Sequence, residues 1–187
     1  MTAVVLGAGC RSHLEFEGET PEEVILGLGA TQCPTDWTGD ELPAELHASL
    51  ESALTTVFAE LGIRAQSELD RRNAGTADSV KLISLSLQMT DTASATSMQS
   101  SFGFMSNLTI FIESAEPGSA LARVEVARSS FVPDEATVVP LLVDTSINLH
   151  PYFAEGAQIT VDVEPRSCLA VSVPFRGVYI AKVRPAR

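Results

Sequence analysis

From Val80 onward, apolar and polar side chains alternate along the chain with a period of two residues. In the first such segment, the apolar residues Leu85, Leu87 and Met89 alternate with polar ones. Neighbouring side chains of a β-strand point to opposite faces of its sheet, so this alternation predicts strands with one buried face. The same pattern predicts strands at 80–89, 107–113, 121–128, 137–143, 158–164, 169–173 and 178–183. About seven short strands separated by turn residues indicate a mainly β protein, an antiparallel β-sandwich.

Turn and proline residues add detail to this prediction. Glu116-Pro-Gly-Ser119 is a good turn sequence, because proline presets one backbone dihedral and glycine accepts a positive φ. It predicts a hairpin between the strands at 107–113 and 121–128. Pro140 and Pro174 cannot donate a backbone hydrogen bond, so we expect them at sheet edges or bulges.

A single amphipathic helix, at about residues 40–61, is expected to pack on the sandwich. Asp40 is placed to cap its start, and Gly62 to end it. Residues 64–72 are interpreted either as a further short helix or as an extended arm. His47 lies beside the apolar stripe, where partial burial is a better interpretation than a metal site. The stripe has spacings of three and four residues and consists of Leu46, Leu50, Leu54, Val57, Phe58 and Leu61.

The composition excludes two broad classes of protein. Hydrophobic residues make up 45% of the 187 residues, enough for a packed core, but no run approaches the roughly 20 apolar residues of a membrane-spanning helix. The net charge of −12 argues against a nucleic-acid partner, since binding to phosphates requires a basic surface. The charge is also uneven. Residues 12–63 contain eleven acids and no Lys or Arg, whereas residues 166–187 contain five basic residues and no acid. Two solvated faces and a docking surface both remain possible interpretations.

The first ten residues end in a motif that bears on localisation. The apolar run Ala3-Val-Val-Leu6 leads to Gly7-Ala8-Gly9-Cys10. This resembles the end of a bacterial lipoprotein signal peptide, in which small residues precede the cysteine that takes the lipid. The match is imperfect, because Gly7 stands where leucine is usual and the basic n-region is missing. The resemblance implies that residues 1–10 are the remnant of a signal peptide ending at a lipidated Cys10. Residues 11–187 would then form a single globular β-rich domain.

The cysteine count supports this interpretation. The chain has three cysteines, and an odd number leaves one thiol without an intramolecular partner. If Cys10 carries lipid, Cys33 and Cys168 remain as a pair that can form a disulfide in an oxidising compartment. The alternative is a cytosolic protein in which all three thiols are unrelated and reduced.

No motif for catalysis, metal binding or cofactor binding emerges from the sequence. There is no Gly-x-Ser-x-Gly, no phosphate-binding lysine loop, and no close pair among the three histidines. We therefore expect a non-enzymatic protein without cofactors, anchored by lipid in the bacterial envelope. It would sit in the outer membrane, facing the periplasm or the cell surface, and bind a protein partner there. The alternatives are a cytosolic structural or interaction subunit, and an enzyme whose site is assembled from loops without a linear motif.

Overall fold

The computed structural model describes residues 13–33, 37, 39, 41–90 and 101–186. Within these ranges the chain forms eight strands, two α-helices and one short 3-10 helix, Phe102–Phe104. In chain order the main elements are β1 Leu14–Glu19, β2 Glu23–Ile25, α1 Ala44–Arg71, β3 Ala77–Met89, β4 Met105–Ser114, β5 Val124–Ser129, β6 Val138–Val143, α2 His150–Ala154, β7 Ala157–Pro165 and β8 Val173–Pro185.

The strands form one antiparallel sheet that is divided between two layers. The strand order is β1-β8-β3-β6-β5-β4-β7, and β2 pairs with β8 beyond the end of β1. Strand β6 links the layers, because residues 138–141 pair with β3 while Leu142 and Val143 pair with β5. The predicted fold class is confirmed: the protein is mainly β and sandwich-like, with one main helix.

The turn prediction and the prediction for Pro140 agree with the structure. The amide of Ser119 donates to the carbonyl oxygen of Glu116 at 3.1 Å, and the turn they close joins β4 to β5. Pro140 lies in the half of β6 that pairs only with β3, so its missing N–H costs no ladder bond. Pro174, the second residue of β8, is not at an edge or bulge as expected. It lies opposite Val24 of β2 on one side, and on the other its carbonyl oxygen accepts from the amide of Thr90 at 3.1 Å.

One detail of the strand prediction was wrong. The structure has eight strands in the described ranges, in line with the predicted number of about seven, but residues 169–172 do not belong to one. The carbonyl oxygens of Leu169 and Ala170 instead accept hydrogen bonds from the loop after β2. Strand β8 then runs from Val173 without a break through Gly177. A Cβ atom at Gly177 would lie 2.8 Å from Val57 Cγ1, so glycine at this position allows α1 to approach β8.

The predicted helix bounds were also wrong at both ends. Helix α1 has 28 residues and begins at Ala44, because the fixed φ of Pro43 suits the residue that precedes a helix. Asp40 lies outside the described residues. Gly62 does not end the helix, because the buried stripe continues through Ala65 and Leu69 and rewards further turns.

Helix α1 lies between two edges of the curved sheet. It contacts β2 at one edge and β7 at the other, and its apolar stripe packs on β8 and β3 between them. At the first edge, the backbone N–H of Leu26 donates to Ser49 Oγ at 2.8 Å. At the second, His47 and Glu51 bind the backbone of Val161. The helix therefore closes the gap that the sheet leaves and completes a single hydrophobic core.

Candidate functional site

The strand register separates the described domain into two opposite ends. At one end, Leu14 of β1 pairs with Val183 and Ala77 of β3 pairs with Pro185. We call this the Leu14 end. At the other end, Ile25 pairs with Val173, the first residue of β8. Strand β8 has 13 residues, so the two ends are roughly 40 Å apart along it.

Four connecting segments meet at the end opposite Leu14, and we call them the loop platform. They are residues 26–33 after β2, 101–104 before β4, 130–137 between β5 and β6, and 166–172 between β7 and β8. The ring of Phe102 packs edge-on against Phe175 near the start of β8, with 5.9 Å between ring centroids. The platform thus rests directly on the core.

Arg166 joins three of these segments. Its Nη2 donates to the carbonyl oxygen of Val132 at 2.9 Å, and its Nη1 lies 2.7 Å from Asp134 Oδ1. Its backbone N–H donates to the carbonyl oxygen of Phe104 at 2.8 Å. The side chain is only 23% exposed. A planar guanidinium with several fixed donors is suited to such bridging, which a lysine could not reproduce.

The segment at 101–104 packs closely against the loop at 130–137. A Cβ atom at Gly103 would overlap the carbonyl oxygen of Asp134, so only glycine fits this contact. The amide of Phe102 donates to the carbonyl oxygen of Ala136 at 2.9 Å. The hydroxyl of Ser101 donates to Asp134 O and accepts from the amide of Gly103, both at 3.1 Å. These bonds fix the relative position of the two loops.

A disulfide joins the fourth segment of the platform, residues 26–33, to the segment at 166–172. Cys33 and Cys168 are bonded across 135 residues of sequence, with their Cα atoms 5.5 Å apart, and they are the pair expected if Cys10 carries lipid. Both residues are buried. The amides of Leu28 and Gly29 donate to the carbonyl oxygens of Leu169 and Ala170 at 2.9 and 3.0 Å beside the bond. Cys10, the predicted lipid attachment site, lies outside the described residues.

Large apolar side chains are exposed on the platform. Leu26 is 60% exposed, Phe131 68% and Val171 47%. Val24 and Val138, in the adjoining strand ends, are also exposed. Of the seven exposed large hydrophobic residues in the described ranges, only Ile63 and Leu142 lie elsewhere. Apolar side chains gathered at one end of a molecule in this way are typical of a binding surface.

The surroundings of the platform are acidic. Its described basic side chains already have partners, since Arg166 pairs with Asp134, and Arg176 of the adjoining β8 pairs with Glu19. Burial raises the pKa of Glu23 above its ordinary value, so this carboxylate is partly withdrawn from water. Acids among the described residues of its segments, or close to them in the chain, include Glu22, Glu23, Asp134, Glu135 and Glu164.

The sequence alone did not single out the platform residues. Arg166 enters the sequence analysis only as one of the five basic residues of 166–187, and no sequence pattern marked Phe131. The signal available for Phe131 is that it stands with Val132 between Ser130 and Pro133, outside any strand pattern. His47 is partly buried, as expected, with 38% of its side chain exposed.

Neither a metal site nor a membrane-spanning helix is found among the described residues. In the described ranges, no group of three or more His, Cys, Asp and Glu residues is arranged to hold a metal ion. No helix of these ranges has the length and apolar character needed to cross a membrane.

Comparison with known proteins found no family model, no curated protein and no solved structure that matches this chain.

Proposed function

We propose that this protein is a non-enzymatic, lipid-anchored component of the bacterial envelope that binds a protein partner through the loop platform. The observation that carries the proposal is the position of the platform at the end of the described domain opposite Leu14. Cys10 precedes Leu14 by four residues, which span at most about 14 Å. A lipid on Cys10 would therefore hold the Leu14 end near the bilayer and direct the platform away from it.

The mechanism would be display of a binding surface at a fixed distance from the membrane. The anchor restricts the domain to two dimensions and raises the effective concentration of the platform near any partner in the same envelope. One acyl chain gives only marginal membrane binding, so stable retention requires the multiple acylation typical of lipoproteins.

The cross-links between the segments of the platform support the proposal that it binds as a rigid surface. The disulfide and Arg166 hold its segments together before any partner arrives. Less conformational entropy is then lost on association than if the loops were free. The exposed Phe131 and Leu26 supply apolar contact area, and the acidic surroundings favour a partner with basic residues near its own apolar patch.

The anchor is tested by intact mass and cell fractionation in the native host. We expect protein from the membrane fraction to begin at a lipid-modified Cys10, and Cys10→Ser to release the protein into the soluble fraction. Material with an unmodified Cys10, or a Cys10→Ser protein that stays on the membrane, would contradict the anchor. Reduced thiols at Cys33 and Cys168 in freshly isolated protein would favour the cytosolic subunit instead.

The platform is tested separately by site-specific photo-crosslinking in cells. A photoreactive amino acid at position 131 should give one discrete crosslinked product, which is reduced when Leu26 is replaced by Ser. The matched control is position 142, because Leu142 is 67% exposed and Phe131 68%, but Leu142 lies outside the platform. Equal crosslinking from both positions would show that the platform is not the binding surface.

A further inference from the structure

Strand β1 differs from the other outer strands of the sheet because no described residue binds the backbone along its outer edge. The backbone of β7 is bound by His47 and Glu51, and the end of β2 by Ser49, all from α1. Strand β1 stands at the end of the strand order, and among the described strands it pairs with β8 alone. It therefore presents a row of backbone groups to which another strand can bond.

The alternation of hydrogen bonds along β1 shows which of its residues have backbone N–H and C=O groups that point away from β8. The amide of Thr20 donates to the carbonyl oxygen of Gly177 at 2.9 Å, so Thr20 faces β8. In an antiparallel pair the direction alternates with each residue. The backbone groups of Glu15, Glu17 and Glu19 consequently point away from β8, and they have no hydrogen-bond partner in the described part of the chain.

The same three residues carry carboxylates on the outer face of the sheet. Glu15 lies 3.2 Å from Lys182 Nζ, and Glu19 lies 2.8 Å from Arg176 Nη1. Glu17 lies opposite the apolar Ile180 and has no ion-pair partner among the described residues. The edge therefore combines free backbone groups with alternating negative charge.

The inner face of β1 is packed, which fixes the strand in the extended conformation. Phe16 makes an edge-on contact with Tyr179, with 6.2 Å between ring centroids. The ring of Tyr179 also lies across Gly18, where a Cβ atom would be 2.6 Å from its Cζ. Since the strand is already straight and supported, a guest strand would not have to order it.

We propose that the outer edge of β1 binds an extended segment of another protein that carries Lys or Arg at alternate positions. The guest would add a strand to the sheet, in the manner of β-strand addition. Its backbone would bond to Glu15, Glu17 and Glu19, and its basic side chains would lie directly opposite their carboxylates. Directly opposite side chains in paired strands are about 5 Å apart, close enough for attraction.

A second copy of this chain is a poor fit for the same edge. Antiparallel pairing of β1 with β1 of another molecule would place Glu15, Glu17 and Glu19 against the same three acids. Like charges directly opposite each other destabilise paired strands. The acidic edge therefore selects against self-association and in favour of a basic guest.

The proposal is tested with a synthetic ten-residue peptide of alternating Lys and Thr, added to the full-length chain at low salt. The comparison peptide has the same composition, with its five Lys residues in one block. We expect the alternating peptide to bind at least tenfold more tightly. Amide hydrogen exchange of Glu15, Glu17 and Glu19 should slow when it binds. Equal binding of the two peptides would mean that only their net charge matters and not the alternation of Lys, and it would overturn the proposal.

Two variants of Glu17 distinguish the contribution of its backbone N–H to peptide binding from the contribution of its carboxylate charge. Glu17→Pro removes an outward N–H that β8 does not use, and should weaken binding of the alternating peptide at least tenfold. Glu17→Gln keeps the N–H and should weaken it only severalfold, which keeps the test valid if the proline variant unfolds. Glu116→Gln removes one charge at the exposed turn of another hairpin and should change nothing. Undiminished binding to Glu17→Pro, or protection of β1 amides without peptide as the protein concentration rises, would overturn the proposal. Because these tests need no lipid and no platform contact, their failure would leave the proposed function standing.

Discussion

His47 and Glu51 lie one turn apart on α1 and together bind both outward backbone groups of Val161 in β7. His47 Nε2 donates to the carbonyl oxygen at 3.1 Å, and the N–H donates to Glu51 Oε1 at 3.2 Å. The other ring nitrogen of His47 lies 3.7 Å from Glu51 Oε2, so the two side chains stand next to each other at this edge. The pair occupies the position of a further strand and blocks that edge of the sheet.

Replacing His47 should destabilise the domain moderately. His47→Ala leaves the Val161 carbonyl without a protein donor, and because the site is partly open to water we expect a loss of about 1 kcal/mol in the free energy of unfolding. Urea unfolding measures this loss. The control is His150→Ala, whose ring makes no hydrogen bond to a described residue. Equal effects of the two substitutions would show that the contact with Val161 contributes nothing.

The two tyrosines of the chain should respond in opposite directions to the loss of their hydroxyl groups. Tyr179 is 1% exposed, and its hydroxyl has no hydrogen-bond partner in the described ranges. Tyr179→Phe should therefore raise the free energy of unfolding by about 1 kcal/mol. The Tyr152 hydroxyl donates to the carbonyl oxygen of Ala122 at 2.8 Å, so Tyr152→Phe should lower it by a similar amount. Thermal melting of both variants tests the pair, and destabilisation by Tyr179→Phe would reveal a partner of its hydroxyl.

Breaking the disulfide should have a large effect on stability. It closes a loop of 135 residues, for which the chain-entropy estimate is roughly 4–5 kcal/mol. We expect the Cys33→Ser, Cys168→Ser double variant to lose most of that amount in urea unfolding. Both proteins should carry Cys10→Ser, so that no third thiol can exchange. A loss below about 1 kcal/mol would mean that other contacts already hold the platform together.

Glu155 should make the domain sensitive to acid. Hydrogen bonds from Ser119 and Ser114, at 2.5 and 2.7 Å, lower the pKa of Glu155 from its ordinary value of 4.5. A lowered folded-state pKa gives a contribution that is fully present above pH 4.5 and is lost as the pH falls through the folded value. Glu155→Gln should therefore be less stable than the wild type at neutral pH, and the gap should close in acid. Glu116→Gln, in the turn that contains Ser119, should show no such trend, and a gap that widens in acid would contradict the assignment.

The sequence predicted the local features of this fold well. Strand alternation depends only on neighbouring residues, and so does the stripe from Leu46 to Leu61. The pairing of Cys33 with Cys168 was expected only if Cys10 carries the lipid that the lipoprotein resemblance implies, because three thiols by themselves do not select a pair. The helix ends were harder to predict. Gly62 is typical of a helix C-terminus, and only the burial of Leu69, which the structure shows, explains why the helix continues past it.

The features that define the candidate sites depend on contacts between distant residues. Arg166 reaches Val132 across 34 positions, and His47 reaches Val161 across 114. No local pattern encodes either contact. The free edge of β1 likewise follows only from the strand order, since its alternating acids read equally well as a solvated face.

The pairing of β1 and β2 with β8 has a consequence for the order of events during synthesis. The strand that binds the first two strands, and also one side of β3, occupies residues 173–185 and leaves the ribosome after all the others. Until it emerges, Leu14–Ile25 has no neighbour in the sheet, and α1 lacks much of the surface on which it packs. Long-range pairing of this kind slows folding. The growing chain therefore stays open at least until β8 has been synthesised, so the first strands and α1 complete their packing only after every other described strand is present.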